Sequence, residues 1–143
     1  MESKKYIRDK RSPIPKNKNV SKVMSANKSK DTKPELTFRK ALWKEGKLGY
    51  RLHKRIVNTR PDIVYNKHKI AIFINGCYWH RCPKCDLSLP KSNVEFWKQK
   101  FKRNIERDRA KTKALEDIGW KVYTIWECDI IKNVKLEVSK IKL

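Results

Sequence analysis

Four cysteines constrain this chain more than any other feature. Three fall in the run CYWHRCPKC, as Cys77, Cys82 and Cys85, and the fourth, Cys128, lies far downstream in TIWECDI. Cys82 and Cys85 have the C-x-x-C spacing of many metal knuckles. Four thiolates suit zinc, which takes tetrahedral sulfur coordination and has no redox chemistry of its own. The distant fourth ligand would pin two parts of the chain together. The cluster also encloses His80, Tyr78 and Trp79, so a metal that stiffens this loop would also present side chains able to do chemistry. Two disulfides, or four unrelated buried thiols, are the alternatives. Disulfides require an oxidising compartment. The N-terminus carries charge within its first five residues and no apolar run, so no secretory signal is read there. A soluble, cytoplasmic protein is expected.

A length of 143 residues with 38% hydrophobic content fits one domain with a single modest core. The net charge is +22, from 37 Lys and Arg against 15 Asp and Glu. A small domain with that excess repels itself unless a polyanion is near, and Lys and Arg that replace phosphate counterions give salt-dependent affinity. Nucleic acid is the leading partner, against a merely solubilising surface or a ribosome-type structural protein. No membrane partner is expected, because no basic amphipathic helix with a broad apolar face stands out. Five tryptophans argue for a folded domain rather than a disordered basic chain.

Residues 1–22 are expected to form a basic, flexible arm, and residues 23–143 a single domain. Thr32 and Glu35 have capping-box spacing, with Pro34 in the first turn, and predict a helix from about Thr32 to Gly46 or Gly49. Arg51 to Ile56 and Asp62 to Tyr65 read as short strands. The five apolar residues Ile70 to Ile74 read as a central strand covered on both faces. Ser92 and Glu95 repeat the capping-box spacing before a long helix with Phe96, Phe101, Ile105, Leu115 and Ile118 as core candidates, stopped by Gly119. Trp120 to Trp126 alternates as a strand, and Ile130, Val134, Val138 and Ile141 suit a closing helix. The order predicts an α/β fold, a mixed sheet flanked by helices.

Phosphodiester cleavage needs a metal to polarise the phosphate and a base for the water. Mg²⁺ prefers carboxylate oxygen, and Asp62, entering a strand behind Pro61, is a candidate ligand; Pro-Asp also occurs in ordinary turns. His80 has the imidazole of a general base, or is a spectator on the knuckle.

Taken together, the runs MSANKSKDTKPE, TRPDIVY, AIFINGCYWHRC, PKSNVEFWKQK, NIERDR and LEDIGWKVYTIWEC resemble the very short patch repair (Vsr-type) endonucleases, DNA mismatch nicking enzymes with a restriction-endonuclease-like core. The likeness runs from about Val23 to Asp129. The resemblance implies that Asp62 binds catalytic Mg²⁺ with the main-chain carbonyl of Ile74, and that His80 assists the attacking water. It also places Glu35 in the active site and Asp108 on the magnesium-bound waters. Tyr78, Trp79 and Trp97 would wedge into the DNA stack, a step that costs least at a mismatch. Cys77, Cys82, Cys85 and Cys128 would hold structural Zn²⁺. The expected activity is a single-strand nick on the 5′ side of the thymine in a T·G mismatch, initiating repair of deaminated 5-methylcytosine. The enzyme is expected to act as a monomer on double-stranded DNA and to hand the nick to other repair proteins. A zinc-stabilised DNA-binding module without activity, or a sequence-specific restriction enzyme on the same core, are the rival readings.

Two departures stand out. The second zinc ligand is often histidine in this family, whereas here it is Cys82, with one extra residue before Cys85. Asn75 stands where a second active-site histidine is known.

Overall fold

A computed structural model describes residues 31–85 and 87–143; the expected arm, 1–22, lies outside the described residues. Helix α1 (Lys33–Lys44) begins where the capping residues put it. Thr32 Oγ1 accepts the Glu35 N–H at 3.4 Å, and Gly46, in the left-handed region at φ 71°, follows the last turn.

Strands β1 (Arg51–Leu52), β2 (Ile63–Tyr65), β3 (Ile70–Asn75) and β4 (Lys121–Trp126) form one sheet in that order. The pairs β1–β2 and β2–β3 are antiparallel, and β3–β4 is parallel, with Ile72 opposite Tyr123. The long helix α3 (Val94–Asp117) supplies the crossover that a parallel pair requires. The sheet is therefore mixed and flanked by helices, as the order of elements predicts.

The core is built from α1, the sheet and α4 (Glu127–Ser139). Phe38 and Leu42 of α1 pack with Ile63, Tyr65, Ile72 and Ile125 of the sheet and with Ile130 and Val138 of α4. Four-residue spacing puts Phe38 and Leu42 on one helical face. Lys47 ties down the chain's end by donating to the carbonyls of Val138 and Ile141, at 2.7 and 2.8 Å. No helix among the described residues is long and apolar enough to cross a membrane.

Three local expectations differ from the structure. The strand expected over Arg51 to Ile56 stops after Leu52: the His53 N–H still bonds Asp62 on β2, but the residue turns left-handed at φ 51° and leads the chain beyond it away from the sheet. Helix α3 is capped by Asn93 at φ 55° with no side-chain capping bond, so the Ser92–Glu95 capping box does not form. Ile118 is 48% exposed rather than a core residue; it is the C-cap position, where the chain turns away through Gly119 at φ 88°.

Candidate functional site

The site gathers at the carboxyl end of β3. Asp62 extends β2: its N–H donates to Ile72 at 3.0 Å and its carbonyl accepts from His53 at 3.1 Å. This anchoring aims the side chain along the neighbouring strand, where Asp62 Oδ2 accepts the Ile74 N–H at 2.7 Å. Glu35 of α1 lies beside it, 1% exposed. Its carboxylate does not close the capping box with Thr32; it turns inward, where Oε2 accepts from Arg39 at 2.8 Å and lies 3.2 Å from His53 Nε2.

Burial raises the Asp62 pKa, and the adjacent Glu35 raises it further by its charge and by a shared hydrogen bond. The Ile74 N–H and His53 pull the other way, and the balance leaves the carboxyl pushed up to about 7. Two crowded, partly dehydrated carboxylates are the donor set a hard divalent cation satisfies. Residues Asp62 and Glu35 therefore fit such a cation.

Beyond Ile74 the chain runs through Asn75 and Gly76 directly into the short helix α2 (Cys77–His80). The His80 N–H donates to the Gly76 carbonyl at 3.2 Å. Its ring is fixed from the other side by α3: Nδ1 lies 2.6 Å from Asp108 Oδ2. One turn earlier on α3, Asn104 Nδ2 donates to the Trp79 carbonyl at 3.0 Å. The NIERDR segment thus holds the knuckle through two contacts. Asp108 pairs with the histidine and not with a neighbouring basic residue of its own helix. Among the described residues no hydrogen bond or ion pair joins Asp62 to His80.

The four cysteines converge. Their Sγ atoms all lie within 4.8 Å of one another, and all four thiols are free. Cys82 and Cys128 are 3.7 Å apart, Sγ to Sγ. That is far beyond a disulfide bond and close to the edge, about 3.8 Å, of a tetrahedron with zinc–sulfur bonds of about 2.3 Å. The Cys128 N–H donates to Cys77 Sγ at 3.3 Å. Burial pushes the Cys77 thiol pKa up. Cys82 is also opposed by burial, but backbone N–H groups at Lys84 and Cys85 and the neighbouring thiols bring it below the usual value. The donor set and its spacing fit zinc. A side-chain pair between Lys84 and Asp129 fastens the knuckle to α4 beside it.

The aromatics form one cluster on the knuckle. Tyr78 is 37% exposed, whereas Trp97 is only 9% exposed. Trp97 stacks on Phe101 at 5.7 Å between ring centres and leans on Trp79 at 5.6 Å. Trp97 therefore braces Trp79 in the DNA-free chain. Arg81 lies over the Phe101 ring at 4.2 Å and closes the cluster's flank.

Sequence reasoning missed three residues here. Asn104 sits in a motif already singled out, where its neighbour Asp108 drew the attention. Arg39 and His53 had no local signal: His53 meets Asp31 and Glu35, and approaches Asp62 to 4.0 Å, only through the tertiary fold.

Comparison with known proteins gives the family. A family model described as DNA mismatch endonuclease Vsr matches residues 14–90. The type II nicking enzyme V.NaeI of Lentzea aerocolonigenes is 42% identical over 128 residues, covering 85% of this chain and 75% of that enzyme. The type II nicking enzyme V.NmeAIP of Neisseria meningitidis is 45% identical, covering 76% of each chain. The DNA mismatch endonuclease Vsr of Escherichia coli is 34% identical, covering 81% of this chain and 74% of that enzyme. Among solved structures, the catalytic domain of the homing endonuclease I-Bth0305I matches with a TM-score of 0.50 at 25% identity, covering 77% of this chain and 93% of that one. A carboxylate site beside a histidine–aspartate pair, on a mixed sheet shared with a homing endonuclease and in a sequence matching the family over most of its length, has one reading: the chain is an endonuclease of the Vsr family.

Proposed function

We propose that this endonuclease nicks one strand on the 5′ side of the thymine in a T·G mismatch and so initiates short-patch repair of deaminated 5-methylcytosine. The observation that carries the reading is the pairing, at one strand end, of Asp62 on the Ile74 N–H with His80 on Asp108. Asp62 and the Ile74 main-chain carbonyl would hold Mg²⁺, with Glu35 alongside. When bound, the cation polarises the scissile phosphate and stabilises charge on the leaving oxygen. His80, with Nδ1 on Asp108, presents Nε2 to take a proton from the attacking water. Asp108 fixes the ring and supports the imidazolium that forms. Zn²⁺ on Cys77, Cys82, Cys85 and Cys128 is structural: it holds the turn that carries His80. Tyr78 and Trp79, braced by Trp97, enter the DNA stack, where a mismatch lowers the cost of unstacking. The enzyme acts as a monomer on duplex DNA, gripped by the basic surface, and other repair proteins act after the nick.

The relatives named type II nicking enzymes carry nicking but no mismatch in their names, which leaves the rival reading of a sequence-specific enzyme that acts at fully paired sites. End-labelled duplexes that differ only in T·G against T·A, with and without Mg²⁺, separate the two. Mismatch repair activity nicks the thymine strand of the T·G duplex alone and only with Mg²⁺. Equal nicking of the paired duplex sinks the mismatch assignment.

Two further outcomes are expected. His80→Ala lowers the single-turnover nicking rate by roughly 10²–10⁴-fold, the usual worth of a positioned general base, and Asp108→Asn lowers it less. DNA affinity stays unchanged in both; an unchanged rate in His80→Ala removes the histidine from the mechanism. Affinity for duplex DNA falls steeply with salt, linearly on a log–log plot, as phosphate neutralisation requires. A flat salt titration contradicts the electrostatic grip.

A further inference from the structure

Resting on the Asp62 reading above, we propose that His53 is a positioning residue, whose ring holds the Glu35 carboxylate in place beside Asp62 as a seat for the divalent cation. Three observations meet at it. His53 Nε2 lies 3.2 Å from Glu35 Oε2 and 3.4 Å from Asp31 Oδ1. On the ring's other side, Nδ1 lies 4.0 Å from Asp62 Oδ1. The residue also occupies the left-handed region at φ 51°, a conformation that L side chains other than Asn, Asp and His seldom adopt. The His53 N–H, bonded to the Asp62 carbonyl at 3.1 Å, fixes the ring at this place.

The need for such a residue follows from the carboxylates themselves. Glu35 is buried beside Asp62, and a cation can take an oxygen from each only if both carboxylates keep a fixed direction. The Glu35 carboxylate is held by two donors, Arg39 Nη1 at 2.8 Å and, with hydrogen on Nε2, His53 at 3.2 Å. Arg39 also bonds Asp31 Oδ1 at 2.8 Å. Asp31 thereby completes a frame that orients both donor side chains. Nothing in this arrangement places His53 on the substrate; it acts through the two carboxylates.

Partners that orient ligands typically change metal affinity by about 10–100-fold when removed. His53→Ala should therefore raise the Mg²⁺ concentration for half-maximal nicking by that factor, with the rate at saturating Mg²⁺ nearly restored. His53→Gln, whose amide N–H reaches to the position of Nε2, should recover most of the affinity. His53→Gly should behave like His53→Ala even though glycine suits the left-handed backbone.

The direct readout uses zinc-loaded protein without DNA, titrated with Mn²⁺ as the probe and followed by thermal shift and calorimetry. Wild type and His53→Gln should show the Mn²⁺-dependent rise in melting temperature at similar concentrations, and His53→Ala only at concentrations 10–100-fold higher. If His53→Ala melts earlier but binds Mn²⁺ as wild type does, the residue is merely structural and the proposal fails. If Asp62→Ala retains the full Mn²⁺ response, the parent assignment of the cation fails instead. Loss of the response in Asp62→Ala with no change in His53→Ala overturns only the role given to His53.

Discussion

Asp62→Asn is expected to stop nicking and, in chelator at pH 8, to make the protein more stable than wild type. The two effects have one cause. In the metal-free chain, burial and Glu35 push the Asp62 carboxyl from 3.8 to about 7. A carboxyl whose folded pKa is raised binds its proton more tightly in the fold than in the unfolded chain. Its contribution to stability is therefore complete below the unfolded value, and it is lost as pH rises through about 7. One pKa unit is worth about 1.4 kcal/mol, so ionised Asp62 costs the metal-free fold up to ~4 kcal/mol at pH 8. Asn has the same shape, keeps an acceptor for the Ile74 N–H, and carries no charge to desolvate. A gain of a few kcal/mol moves the melting temperature of a chain this size by roughly 10 °C.

The same substitution removes the anionic ligand of the cation, and a fall of at least ~10³-fold in nicking is expected from the loss of that electrostatic stabilisation. Melting curves in chelator at pH 5 and pH 8 check the first half: the advantage of Asp62→Asn should appear at pH 8 and shrink at pH 5. For wild type, the Mg²⁺ needed for half-maximal nicking should fall as pH rises to about 7 and level off above it, since cation and proton compete for one carboxyl. A variant that loses stability at pH 8, or nicks at the normal rate, removes Asp62 from the site. Destabilised residues of this kind mark functional positions because the fold tolerates them for what they later bind.

How much of this was legible in the sequence depends on the range of each interaction. The start of α1 could be read because capping is local: Thr32 meets the N–H of Glu35, three residues on. Strand β3 could be read because it is buried on both faces, with the successive residues Ile70, Ala71 and Ile72 all buried. The convergence of the four cysteines could be read because the C-x-x-C spacing is that of a metal knuckle. Spacing failed where a single backbone angle decided the outcome. Ser92 and Glu95 have the separation of a cap, but Asn93 at φ 55° takes the capping position with its backbone. His53, likewise left-handed, ends β1 and enters the site by the same turn. The packing of Trp97 was not read either: its place on α3 puts Phe101 one turn away, and the two rings stack. Burial of that pair depends on the knuckle folding back over α3, which no pattern within either segment reports.

That fold-back makes the zinc site the second large lever. Replacement of Cys128 by Ser is expected to reduce bound zinc from one per chain toward none, and to abolish nicking without unfolding the central core. None of the four cysteines belongs to the cluster of α1, the sheet and α4 that includes Phe38, Ile72 and Val138. The knuckle, by contrast, has little apolar packing of its own beyond its aromatic face on Phe101. Its other ties are single polar contacts, among them Asn104 to Trp79, Asp108 to His80, Lys84 to Asp129 and the Cys77 N–H to Glu127. Structural zinc contributes apparent binding energies of about 10–16 kcal/mol in small domains, more than a few surface hydrogen bonds can replace. Without it His80 has no fixed direction, although Asp62 keeps its place on Ile74. The expected signature is thus a split: far-UV circular dichroism of the core is retained, amide exchange across residues 77–85 becomes fast, and nicking falls by at least as much as in His80→Ala. Cys85→His is the control, because imidazole is also a zinc ligand, and it should keep most of the metal and part of the activity. Full-rate nicking by zinc-free Cys128→Ser would show that the knuckle needs no metal to aim its histidine. Global unfolding of the variant would show that the cysteines hold the core as well as the loop.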